Sequence, residues 1–99
     1  MSTLCQTANN PYNGAIASKS YDLSKKILDN MAKQTGAKNR GVTKTDSMSG
    51  INWAKVPTTI IEMGFLSNPG EDEKLKTQEY QKKIVTGIAN GIDEFLNWR

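Results

Sequence analysis

Residues 56–68 read VPTTIIEMGFLSN. They decide the fold, because they hold the densest strand-forming run in the chain. Pro57 is tolerated at the first residue of a strand, and Thr58, Thr59, Ile60 and Ile61 are all β-branched, which suits a pleated, packed surface. The run Thr58–Gly64 therefore predicts a strand, and its dense apolar character is that of an interior, parallel one. Glu62 breaks that character, since an unpaired carboxylate is costly to bury. Side chains alternate along a strand, so Glu62 shares a face with Thr58 and Ile60, while Thr59, Ile61 and Met63 take the other. Gly64 and Phe65 follow at the carboxyl end, where open α/β sheets bind their ligands. A carboxylate there suits general acid/base work, and partial burial would raise its pKa towards a useful value. The other reading is a solvated glutamate, or one paired with Arg40 or a lysine. Pattern alone leaves both open.

Downstream, Asn68-Pro69-Gly70-Glu71 has the form of a helix start, with Asn68 as cap, proline at the first helical position and Glu71 at the capping-box position. A short helix to about Lys76 follows from it. Residues 77–97 carry the strongest helical signal. Tyr80, Ile84, Val85, Ile88, Ala89, Ile92, Phe95 and Leu96 trace one stripe at spacings of 3, 4 and 1. Thr77 is the expected cap, and the strand of Ile60 and Ile61 is the expected packing partner.

Upstream, residues 37–55 mix glycine with polar and short apolar pieces, giving two short strands near Gly41–Lys44 and Met48–Asn52. Residues 16–35 read as an amphipathic helix, with Ile16, Leu23, Ile27 and Met31 on one face, Leu28 widening it and Gly36 as its stop. Residues 1–15 give a short strand at Thr3–Gln6, then a turn-rich stretch through Asn9, Asn10, Pro11, Asn13 and Gly14, read as a poorly ordered lead-in. The sum is an α/β chain: a partial, mostly parallel sheet flanked by helices, a fragment of a larger domain spanning 1–99.

The 99 residues carry a net charge of +3 and a pI near 9.1. That suits an anionic surface, but no basic–aromatic motif supports nucleic-acid binding. The Lys25-Lys26 and Lys82-Lys83 pairs read as solvated helix faces. No run approaches the roughly 20 apolar residues of a membrane span. Residues 1–14 lack a signal-peptide core, so an export signal is expected elsewhere. Cys5 is the single cysteine and there is no histidine. A cysteine nucleophile ordinarily needs a histidine, so Cys5 reads as a small core residue. Histidine is also the commonest ligand of catalytic zinc. Trp53 reads as core packing, with stacking on a sugar or stem peptide as the alternative.

VPTTIIEMGFLSNPGEDEKL, followed by YQKKIVTGIANGIDEFL, resembles the C-terminal half of the zinc-dependent N-acetylmuramoyl-L-alanine amidases, the amidase_3 family. Upstream, Asn39-Arg40-Gly41-Val42 matches the Asn-Arg-Gly-Val segment of that family, and the helix at 16–35 matches the helix before it. The resemblance covers about residues 16–97. It implies a hydrolase that cuts peptidoglycan between the lactyl group of N-acetylmuramic acid and the first L-alanine of the stem peptide. In that family a zinc ion held by two histidines and a glutamate activates water, and a separate glutamate assists proton transfer. Carried over residue by residue, that second glutamate is Glu62, with Arg40 and Asn68 in supporting or substrate-binding positions. The zinc ligands belong to the N-terminal half, which nothing here matches. The expectation is a chain with the proton-transfer residue but no metal of its own, inactive alone. Its partner is peptidoglycan, with neither nucleic acid nor a membrane span. An incomplete sheet favours homo-oligomers or strand exchange. The setting is the bacterial wall or exterior, as an autolysin or a phage-encoded endolysin. A non-catalytic module that binds wall glycan or another anionic polymer is the rival reading.

Overall fold

The computed structural model describes residues 1–63 and 73–97. The elements run β1 (Ser2–Cys5), a 3-10 turn (Gly14–Ile16), α1 (Ala17–Thr35), β2 (Val42–Lys44), the one-turn α2 (Ser49–Asn52), β3 (Ile60–Glu62) and α3 (Gln78–Leu96). The chain forms a slab of 39 × 36 × 17 Å. No helix among the described residues is long and apolar enough to cross a membrane.

α1 forms where the 3.6-residue pattern places it. Its inner face buries Ile27, Leu28 and Met31 almost completely, worth roughly 1.5–3 kcal/mol each against exposure. Ser20 and Ser24 continue that face and are fully buried. Their small size lets the helix lie close to the sheet, and their hydroxyls fasten it there. Ser24 Oγ donates to Thr59 Oγ1 at 2.7 Å, and Ser20 Oγ accepts from the Thr58 N–H at 3.0 Å. Gly36 ends the helix in the left-handed region (φ 73°), its N–H donating to the Ala32 carbonyl.

α3 is capped as expected, since Thr77 Oγ1 accepts from the Tyr80 N–H at 3.2 Å. Its packing partner differs from the expectation. α3 lies chiefly against α1, with Gly87 facing the Met31 backbone and Gly91 facing that of Ile27. The pairing of 87 with 31 and 91 with 27 makes the two helices antiparallel. A Cβ on Gly87 would fall 2.6 Å from Met31 Cα, and one on Gly91 2.5 Å from Ile27 Cα. Two glycines one turn apart thus open a groove for the other helix. Ile61 of β3 meets the cluster formed by Tyr80, Ile84 and α1, but only half-buried. Much of the expected stripe is solvent-facing, with Val85 64%, Ile92 41% and Leu96 51% exposed.

Among the described residues the sheet has three strands in the order β2-β1-β3. β1 runs parallel to β2, pairing Thr3 with Val42, and antiparallel to β3, pairing Thr3 with Ile61. The α/β class with a sheet flanked by helices holds, but the sheet is mixed rather than mostly parallel. β3 is an edge strand of this sheet, not an interior one. The cause lies in the connections. Parallel strands need a crossover long enough to return to the same end, and α1 supplies it between β1 and β2. Residues 45–59 contain only the single turn of α2, so the chain comes back down the sheet in the reverse direction. Met48–Asn52, expected as a strand, is largely that turn of helix. The short strand expected at Thr3–Gln6 is present as β1. β1 is the central strand, with Thr3 and Cys5 fully buried, because it is paired on both edges and covered by α1. The expected helix start at Asn68–Glu71 and the strand end at Gly64 lie outside the described residues.

Candidate functional site

Glu62 ends β3. The antiparallel register sets it opposite Ser2, and Ser2 Oγ donates to Glu62 Oε2 at 3.1 Å. Alternation places Glu62 and Ile60 with Ser2 and Leu4 on one face of the sheet. Thr3, Thr59 and Ile61 point to the helical side, as the contacts of Thr3 and Thr59 with α1 show. The strand therefore reconciles its apolar run with its carboxylate. Ile61 meets the core, while Glu62 faces solvent.

Arg40 lies at the same end of the sheet. Its N–H donates to the Met1 carbonyl at 2.9 Å, beside the start of β1. Arg40 flanks β1 on the β2 side and Glu62 on the β3 side, so about two strand spacings, roughly 10 Å, separate them across the sheet. Asn68, the third expected site residue, lies outside the described residues.

The donor set does not fit a zinc ion. The sequence has no histidine, and no three His, Cys, Asp or Glu side chains converge among the described residues. Cys5 is fully buried. Burial pushes its thiol above the ordinary cysteine value, more than the Ser24 hydrogen bond and the Lys44 charge pull it down. It is neither a thiolate ligand nor a nucleophile.

A polar clamp at the other end of β1 is absent from the sequence reading. Asp46 accepts from the Thr7 N–H (2.9 Å), the Thr7 hydroxyl (2.6 Å) and Asn10 Nδ2 (2.9 Å). Asn10 Nδ2 also donates to Asn52 Oδ1 at 2.7 Å, and Asn13 Nδ2 donates to the carbonyls of Ile51 and Ala54. The hydroxyl and N–H of Thr7, aided by Asn10, hold the Asp46 carboxyl below the usual carboxylate range despite some desolvation. The clamp ties the β1–α1 loop to the β2–α2 segment. The density of asparagines at 9–13 was its only sequence signal, and that density reads equally as turn chemistry. Trp53 follows Asn52 at the end of α2 and is 79% exposed, so it does not pack in the core.

Comparison with known proteins agrees with the fold. Residues 10–94 match the family described as Amidase_3: N-acetylmuramoyl-L-alanine amidase. The uncharacterized protein YqiI of Bacillus subtilis is 32% identical over 75 residues, covering 76% of this chain and 36% of its own length. A putative N-acetylmuramoyl-L-alanine amidase of Buchnera aphidicola is 36% identical over 75 residues, covering 76% of this chain and 31% of its own. Among solved structures, the CwlD amidase of Clostridioides difficile, determined in complex with the GerS lipoprotein, superposes with a TM-score of 0.84 at 28% identity, over 99% of this chain and 46% of that one. The chain thus spans about a third of those two relatives and about half of the solved one. It belongs to the Amidase_3 family of N-acetylmuramoyl-L-alanine amidases.

Proposed function

We propose that this chain is the C-terminal portion of a peptidoglycan amidase domain, with Glu62 as its proton-transfer group. The family match over residues 10–94 carries the reading. In the assembled domain the water oxygen bonds to the lactyl carbonyl carbon and the carbon–nitrogen bond breaks. Glu62 accepts the proton of the water and returns one to the departing nitrogen of L-alanine. The Ser2 hydroxyl fixes one carboxylate oxygen, so the other is the one that meets the water. Arg40, at the same end of the sheet, orients the substrate or the site, and Asn68 supports it. The zinc expected of the family finds no donor set among the described residues, so no step on this chain runs through it.

On this reading the chain alone is inactive and associates with itself while the rest of the domain is absent, and the assembled domain acts on bacterial wall outside the membrane. Mixing it with a separately produced N-terminal half from a relative should restore release of stem peptides from purified peptidoglycan. Glu62→Gln in the mixture should cut the rate by about 10²–10⁴-fold. Undiminished cleavage by that variant would sink the assignment. Sedimentation with peptidoglycan but no cleavage after mixing would instead mark a non-catalytic wall-binding module.

A further inference from the structure

The outer face of α3 carries a charge pattern beside its apolar stripe. At 3.6 residues per turn, the exposed Val85, Ala89, Ile92 and Leu96 fall within about 60° of one another. Lys82 and Asp93, also exposed, both lie on one flank of that stripe, turned about 60–80° from Val85 in the same sense. They stand about 16 Å apart along the axis, one in each half of the helix. The opposite flank of α3 holds Gln81, Ile88 and Phe95 and no charge.

The two halves of this face complement each other. Asp93 and Glu94 occupy the last turn, which has no basic residue, so they meet the negative end of the helix dipole. A cation brought from outside relieves them, and Lys82 sits in the other half. In that half, Gln81, Ile84, Val85 and Ile88, with Met63 and Leu75, line an apolar, partly open cavity of about 400 Å³. The exposed apolar side chain on the same side of the stripe, Ile92, belongs to the half that holds Asp93.

A face whose halves complement each other fits a second copy of itself. We infer that two copies of the chain pair through α3, antiparallel, about a two-fold axis near Ile88. This rests on the self-association proposed above and assigns its surface and symmetry. Such an axis reverses the helix and sets like flank against like flank. Lys82 of each copy then meets Asp93 of the other, and Ile92 of each reaches the mouth of the other's cavity. Parallel pairing would set the charged flank against the uncharged one. Apolar burial drives the association, and the exposed ion pairs fix its direction more than its strength. Because the same surface is used on both copies, the contact closes as a dimer and does not propagate.

Sedimentation equilibrium of the 99-residue chain tests this. The data should fit a monomer–dimer equilibrium that weakens at raised salt. Lys82→Glu and Asp93→Lys each bring like charges together and should each weaken the dimer about fivefold or more. Both positions are exposed, so the fold is spared, and circular dichroism checks that. Mixing the two single variants should restore pairing as a heterodimer, since opposite charges meet again at both contacts. Placing both changes in one chain should restore the homodimer. A monomer at concentrations up to about 1 mM, assembly beyond a dimer, or pairing indifferent to these reversals would each overturn the inference. Reversals that spare the dimer but block reassembly with the N-terminal half would give this face to that half, and overturn it too. None of the variants touches Glu62, so cleavage by the assembled domain judges the proposed function separately.

Discussion

Asp46 shows how a single side chain couples local geometry to solution behaviour. Its carboxyl is held below the ordinary range by Thr7 and Asn10. A depressed folded-state pKa contributes stability that is complete above the unfolded value, about 4 for aspartate, and is lost as the pH falls through the folded value. Acid should therefore loosen the clamp below about pH 4, and Asp46→Asn should flatten that part of a denaturation-versus-pH curve. Cys5 makes a separate prediction. A fully buried, protonated thiol should resist a thiol-reactive probe in the native state and label only as fast as the chain opens. Immediate labelling would contradict its placement. The place of Glu62 on a strand was legible at this scale, from the β-branched run before it. Its hydroxyl partner was not, because Ser2 lies 60 residues away and only the strand register brings the two together. Trp53 misleads for a related reason. Its chemistry suits a core, but α2 buries Ile51 and turns Trp53 outward.

At the scale of elements, both long helices were legible from their period and their end residues. What they touch was not. The apolar stripe of α3 suggested a sheet contact, yet its closest approach uses Gly87 and Gly91, which have no side chain to count in a hydrophobic pattern. Gly87→Ala and Gly91→Ala would each gain up to about 1 kcal/mol of helix propensity. The clash with the α1 backbone should outweigh that gain and leave a net loss of about 1–2 kcal/mol. Urea unfolding measures it, and unchanged midpoints would show that α3 does not sit this close. Leu28→Ala, which empties a fully buried position on the other helix, should cost about 2–5 kcal/mol in the same assay. Strand direction was illegible for a geometric reason. An apolar run reports burial, whereas direction depends on the length of the connection before it.

For the whole molecule, the feature to explain is the apolar surface left on the outer side of α3, where Val85, Ile92 and Leu96 stand exposed. The proposed self-association has its physical basis here, since contiguous apolar patches mark contact surfaces. Light scattering should show a mass that rises with concentration, and Val85→Lys with Ile92→Glu should return the chain to a monomer. A clean monomer at high concentration would count against it. The topology has a kinetic consequence as well. β1, the middle strand, finds both of its partners far along the chain, at β2 and, some 60 residues on, at β3. α1 likewise waits for α3. The contacts that join its strands and its two long helices close long loops, which slows folding. During synthesis one edge of β1 stays open until residues 60–62 have been made. That interval, more than the finished structure, is when this protein is most exposed to mispairing with its own copies.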